Sequence, residues 1–100
     1  MNIQRTSVFL MANLGAEVSR ILSAKDRKDE IQVRKCLERA LKILKEIMTM
    51  PEMKERVIEI NSLSNLISDM SSPNPVLHVS RKNISSYFIP FALRVMGSSI

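Results

Sequence analysis

The sequence predicts an all-α fold: a three- to four-helix up-and-down bundle forming one domain over residues 1–100. Apolar residues recur at spacings of three and four along most of the chain, which is the period of amphipathic helices. Only two glycines and four prolines interrupt the chain. Because it has one Tyr, three Phe and no Trp, the predicted core is aliphatic, with methionines as adaptable fillers.

The first helix is predicted over residues 6–24, opened by Thr6 and Ser7. Gly15 lies inside this helix, where glycine costs about 1 kcal/mol relative to alanine. A close approach by a neighbouring helix would offset that cost. The pattern therefore predicts tight helix packing at Gly15.

The second helix is predicted over residues 29–49, after a polar break in which Asp26 or Asp29 can serve as the N-cap. It carries the clearest apolar stripe in the chain. The members of the stripe are Val33, Leu37, Ala40, Leu41, Leu44, Ile47 and Met48.

The third helix is predicted over residues 50–70, where Thr49 and Glu52 have capping-box spacing and Pro51 falls in the first turn. Because so short a connection joins them, the second and third helices should be antiparallel neighbours.

A loop is predicted over residues 71–83, because Pro73 and Pro75 cannot continue a helix. A last helix follows over residues 84–96, in which Pro90 either kinks the helix or begins it. A strand is the alternative for this apolar segment, but no second strand of comparable strength is available to pair with it.

The composition favours a basic, cytoplasmic protein. Net charge is +5, and the single Cys36 fits a reducing compartment. The apolar run at 8–12 is far shorter than the roughly 20 residues that span a bilayer, so no membrane partner is expected.

Residues that could support catalysis are few. The chain has one histidine, His78, and one cysteine, so a site with several His or Cys ligands cannot be assembled. No glycine-rich phosphate loop occurs. We therefore expect a non-enzymatic protein without metal or cofactor.

Three polar residues, Asn13, Glu17 and Arg20, share one strip of the first helix beside its apolar face. One interpretation is an exposed Glu17–Arg20 pair that contributes a few tenths of a kcal/mol. The other is a partly buried polar network that orients the helices or contacts a ligand.

Basic residues in and just before the second helix form a candidate polyanion-binding stripe. Its members are Lys28, Arg34, Lys35, Arg39 and Lys42. Glu38 and Glu46 interrupt the stripe and no aromatic residue is interleaved for base stacking, so a solvated charged face is the competing interpretation.

Three of the aromatic residues, Tyr87, Phe88 and Phe91, cluster near the end of the chain. They can close the core as part of a fourth helix. They can instead form an oligomer interface, because three helices leave much apolar surface uncovered.

The segments N-L-G-A-E-V-S-R at 13–20 and Y-F-I-P-F-A at 87–92 resemble a group of small uncharacterised prokaryotic helical-bundle proteins. More distantly, the helix layout resembles the ribosomal-RNA intervening-sequence proteins and HEPN domains. These resemblances imply a helical fold. HEPN ribonucleases carry an Arg a few residues before a His, and no Arg precedes His78 at that spacing.

The leading functional prediction is therefore a non-enzymatic protein-interaction module that self-associates into a homo-oligomer. The alternative is RNA or DNA binding through the basic face of the second helix. A HEPN-like ribonuclease is a third hypothesis, which lacks its motif.

Overall fold

The computed structural model describes residues 6–77 and 80–97, which form four α-helices and one short 3₁₀ helix. The elements in chain order are α1 (Ser7–Asp26), α2 (Glu30–Met48), the 3₁₀ helix (Pro51–Arg56), α3 (Val57–Ser71) and α4 (Arg81–Gly97). The prediction of an all-α helical bundle is confirmed.

The helices alternate in direction. The tight turn at 27–29 reverses the chain between α1 and α2. Lys25 Nζ donates to the Met70 carbonyl at 2.6 Å, so α1 and α3 end at the same end of the bundle. Arg81, the first residue of α4, pairs with Asp26 at the end of α1. The chain is therefore an up-and-down bundle, in which α1 packs mainly against α2 and α4.

Side-chain caps set the starts of α1 and α2, and the Ser80 hydroxyl, which accepts the Asn83 N–H at 3.0 Å, caps the start of α4 in the same way. The Thr6 hydroxyl accepts the Phe9 N–H at 3.1 Å, and the Asp29 carboxylate accepts the Gln32 N–H at 3.2 Å. Both satisfy backbone donors that have no partner within the helix. Of the two N-caps predicted for α2, the structure therefore selects Asp29, while Asp26 lies in the last turn of α1.

The predicted third helix begins as the 3₁₀ helix and becomes α-helical only at Val57. The capping box predicted between Thr49 and Glu52 is wrong, because the N-cap of the 3₁₀ helix is Met50 and not Thr49. Met50 makes no side-chain cap bond. The Thr49 hydroxyl instead donates to the Glu46 carbonyl at 2.7 Å. Thr49 therefore closes the end of α2.

α1 and α4 approach each other closely at Gly15. A Cβ built on Gly15 would lie 2.7 Å from the Cβ of Phe88, which is buried with 5% exposure. The tight packing predicted at Gly15 is confirmed.

Pro90 lies inside α4 rather than at its start. Its missing N–H leaves the Ser86 carbonyl without its usual helical donor. Both residues are exposed, so water can reach that carbonyl.

Candidate functional site

The most unusual side chain in the described part of the protein is Glu17, a carboxylate that is only 3% exposed. It lies on the side of α1 that faces α2. Arg20 Nη1 donates to its Oε1 at 2.7 Å, and Arg39 Nε donates to its Oε2 at 2.8 Å. Both lie at hydrogen-bonding distance, so one buried anion is shared by two cations from different helices.

The two arginines keep Glu17 ionised. Burial by itself raises the pKa of this carboxyl, because it disfavours the charged form. The hydrogen bonds and positive charges of Arg39 and Arg20 outweigh burial, and the pKa of Glu17 is lowered overall. Both guanidinium groups are about half exposed, so solvent-facing arginines cover a buried carboxylate.

Arg39 is also held on its other side. Its Nη2 donates to the Cys36 Sγ at 3.2 Å, one turn earlier in α2. Cys36 is a free, buried thiol packed in the hydrophobic core. Because Glu17 and Cys36 both bind Arg39, the plane of its guanidinium group is fixed between α1 and α2.

A cavity of about 300 Å³ opens between α1 and α2 beside this cluster. Three arginines line it: Arg20, Arg27 and Arg39. Its remaining lining residues are the uncharged Ser19, Ser23, Gln32 and Cys36. We call it the arginine cavity, and no carboxylate lines it.

A second cavity, of about 640 Å³, adjoins the arginine cavity and shares Arg20 and Arg39 with it. Its other lining residues are Asn13, Ala16, Glu17, Lys42, Ile43 and Glu46. The two cavities together with the exposed Lys35, one turn before Arg39, form what we call the α1–α2 face.

The structure brings the three predicted polar residues of α1 to this face. Glu17 and Arg20 form an ion pair, and Asn13 lies beside Glu17 in the lining of the larger cavity. Of the two interpretations of this strip, an exposed pair and a partly buried network, the burial of Glu17 matches the second.

The five predicted basic residues are divided between two surfaces. Arg39 and Lys42 line the α1–α2 face, and Lys35 lies on the same side of α2. Lys28 and Arg34 line a different cavity, of about 460 Å³, at the start of α2 against the segment that follows α3. Adjacent residues on a helix point about 100° apart, which separates Arg34 from Lys35.

Two features of the site were not predicted from the sequence: Arg27 and the pairing of Arg39 with Glu17. One signal for the pairing was present, because Glu17 follows the spacing of the buried Leu10, Leu14 and Ile21. A charged residue in such a stripe needs a partner from another element.

The three aromatic residues of the predicted oligomer interface differ in how far they are buried. Phe88 is buried against α1, and Tyr87 packs edge-on against it with ring centroids 5.1 Å apart. Phe91 is half-buried, next to Tyr87. Among the side chains of α4 that the structure describes, the large apolar residues Ile89 and Leu93 are exposed at 53% and 60%.

Within residues 6–77 and 80–97, no group of three or more His, Cys, Asp or Glu side chains is placed to hold a metal ion. His78, the single histidine of the sequence, lies outside these residues. None of the described helices combines the length and the apolar character needed to cross a membrane.

Comparison with models of known protein families, with characterised proteins and with solved structures gives no match to this chain. The resemblance of the segments at 13–20 and 87–92 to prokaryotic helical-bundle proteins stays a prediction.

Proposed function

We propose that this protein is a non-enzymatic nucleic-acid-binding module that holds the phosphate backbone of RNA or DNA on the α1–α2 face. The observation that carries the proposal is the gathering of cations from both helices on one surface. These cations are Arg20, Arg27, Lys35, Arg39 and Lys42.

The charge balance of the α1–α2 face favours a polyanion. Glu17 is buried and already shared by two arginines, so it presents little negative charge to a ligand. Glu46 lines the larger cavity, and the exposed Glu38 lies one turn from both Lys35 and Lys42 at the edge of this face. Positive charges therefore predominate at the solvent boundary, and the net charge of +5 adds long-range attraction.

The lining residues favour contacts to phosphate over recognition of bases. Serine, asparagine and glutamine side chains alternate with the arginines, and such groups commonly bind phosphate oxygens. None of the residues lining the two cavities is aromatic, so stacking on bases would contribute little. We expect affinity with little sequence preference and a strong dependence on salt.

The test compares a variant with two charges reversed on the α1–α2 face with a variant that has two charges reversed elsewhere on the surface. Lys35→Glu with Lys42→Glu should weaken binding of a labelled single-stranded RNA with hydroxyl ends, measured by fluorescence anisotropy at several salt concentrations. Each lysine that contacts a phosphate should lower the slope of log affinity against log salt by about one. Both side chains are exposed, so the fold should be retained.

The matched control is Arg34→Glu with Lys54→Glu, which makes the same change in net charge at exposed positions outside the α1–α2 face. This variant should bind almost as well as the wild type. Equal losses in the two variants would overturn the assignment to this face. Undetectable binding of wild type to RNA and DNA at low salt would overturn the function.

Self-association through α4 is the second candidate function, and it is favoured by the exposed Ile89 and Leu93 one turn apart. The neighbouring Ser85, Ser86 and Ala92 are exposed and uncharged, so no charge directly adjoins this apolar pair among them. Light scattering should give a dimer mass for the wild type and a monomer mass for Ile89→Lys with Leu93→Lys. A monomeric wild type would exclude this candidate.

A further inference from the structure

The arginine cavity carries a net charge that matches one particular chemical group. Arg20, Arg27 and Arg39 supply three positive charges, and Glu17 neutralises one of them, which leaves two. A phosphomonoester carries a charge of about −1.5 to −2 at pH 7. An internal phosphodiester of a nucleic-acid strand carries a single negative charge.

The donors around the cavity suit a group with three free oxygens. Guanidinium groups present several N–H donors in a fixed plane and bind phosphate in a bidentate manner. Arg20 and Arg39 use some of these donors on Glu17, which orients the two groups. Ser19, Ser23 and Gln32 add neutral hydrogen-bonding groups from both helices.

The size and position of the arginine cavity favour binding of the end of a nucleic-acid strand over binding of its interior. Its volume of about 300 Å³ lies at the lower limit of ligand cavities, which run from about 300 to 1,000 Å³. A terminal phosphate has one ester bond and can enter end-on, whereas an internal phosphate has two. The larger cavity next to it leads past Arg39 to Lys42, where the following part of the strand would lie.

We propose that the arginine cavity binds the terminal phosphate of a nucleic-acid strand, and that Glu17 is a positioning residue that aims Arg20 and Arg39 at it. This inference rests on the proposed function of the α1–α2 face. It adds the strand end as the preferred ligand and assigns a role to the buried carboxylate.

The test uses one oligonucleotide sequence with a 5′-phosphate, a 3′-phosphate or hydroxyl groups at both ends. Charge-assisted hydrogen bonds to the additional phosphate charge should make one phosphorylated form bind about tenfold or more tightly than the hydroxyl form. Arg27→Gln should abolish that preference. Arg27 is exposed and is not one of the two Glu17 partners, so its replacement should leave the fold intact.

The variant Glu17→Gln distinguishes a positioning role of Glu17 from a simple effect of net charge on binding. If charge alone governs binding, removal of a carboxylate should tighten the binding of every oligonucleotide. If Glu17 positions the arginines, the ratio of the affinities for the phosphorylated and the hydroxyl oligonucleotide should fall toward one in this variant, although its net charge is more positive. Circular dichroism and thermal unfolding of the variant check that the helices are retained, and Arg34→Gln is the control for loss of a remote cation.

Different results would overturn the terminal-phosphate site and the proposed nucleic-acid binding. Equal binding of all three oligonucleotides, still weakened by Lys35→Glu with Lys42→Glu, would overturn the terminal-phosphate site and leave the proposed function standing. Tighter binding by Glu17→Gln with the end preference unchanged would overturn the positioning role. Absence of binding to any oligonucleotide would overturn both.

Discussion

Gly15 and Phe88 lie where α1 and α4 pack closely together, because a Cβ on Gly15 would lie 2.7 Å from the Cβ and 2.8 Å from the Cγ of Phe88. These atoms lie close to the backbone of α4 and cannot swing away as the end of a flexible side chain can. Any residue larger than glycine at this position must therefore push the helices apart.

Gly15→Ala should lower the free energy of unfolding by about 1–3 kcal/mol, the usual cost of overpacking a core. In an ordinary helix position the same change would stabilise by about 1 kcal/mol. Chemical denaturation measures the difference. Ala16→Gly at the next, exposed position is the control and should lose about 1 kcal/mol. A more stable Gly15→Ala variant would contradict the close approach.

Lys28→Gly should stabilise the protein. Lys28 has φ 57°, and its N–H and that of Asp29 bond back to the carbonyls of Lys25 and Ala24, which is the Schellman arrangement that favours glycine. A left-handed conformation costs an L-residue roughly 1–2 kcal/mol, partly offset by the freedom that glycine has in the unfolded chain. We expect a net gain of about 0.5–1 kcal/mol by urea denaturation.

Lys28→Ala is the matched control for that substitution, because it removes the same charge and keeps the Cβ. Its free energy of unfolding should stay within about 0.5 kcal/mol of the wild type. If both variants gain equally, charge and not backbone strain is the cause.

The stability contributed by Glu17 should depend on pH. Its folded-state pKa lies below the ordinary 4.5, so the contribution is present above pH 4.5 and is lost as the pH falls through the folded pKa. Between pH 7 and pH 3, the thermal unfolding temperature of Glu17→Gln should therefore fall less steeply than that of the wild type. Identical slopes in the two proteins would show that the carboxylate is not held ionised.

Tyr87 should ionise at unusually high pH. Burial, together with its hydrogen bond to the Glu59 carboxylate, raises the pKa of Tyr87 from 10.0 to about 12. Because the pKa is raised by folding, the stabilisation is complete below pH 10 and is lost as the pH rises through the folded pKa. Tyr87 is the only tyrosine and the chain has no Trp, so ultraviolet absorbance follows it alone.

Glu59→Gln should lower the pKa of Tyr87, because the negative charge and the hydrogen bond of the carboxylate both favour the protonated phenol. Circular dichroism recorded in the same titration shows whether the helices persist. A midpoint near 10 in the wild type with the helices intact would contradict the α3–α4 contact.

Much of the fold could be predicted from the sequence because its determinants are local. The period of apolar residues defined the helices, and the caps at Thr6 and Asp29 act over three positions. The predicted helix at 50–70 shows the limit of such patterns. The spacing of Thr49 and Glu52 is that of a capping box, yet Thr49 bonds backward to Glu46 and a 3₁₀ helix follows.

The candidate site depends on contacts that no local pattern contains. Glu17 and Arg39 are 22 positions apart and meet only because of how α1 and α2 are rotated against each other. The helical step of about 100° already separates Arg34 from Lys35, but the packing of α2 decides that Arg34 faces the segment after α3.

Helical period and turn residues act within a few positions, so the sequence was sufficient to predict the all-α bundle, the positions of α1 and α2 and the need for space at Gly15. Three further features follow only from the packed bundle: Glu17 is buried, three arginines share one cavity and Phe88 belongs to the core. Those outcomes depend on which side of each helix faces its neighbours, and this is fixed by packing the whole bundle at once.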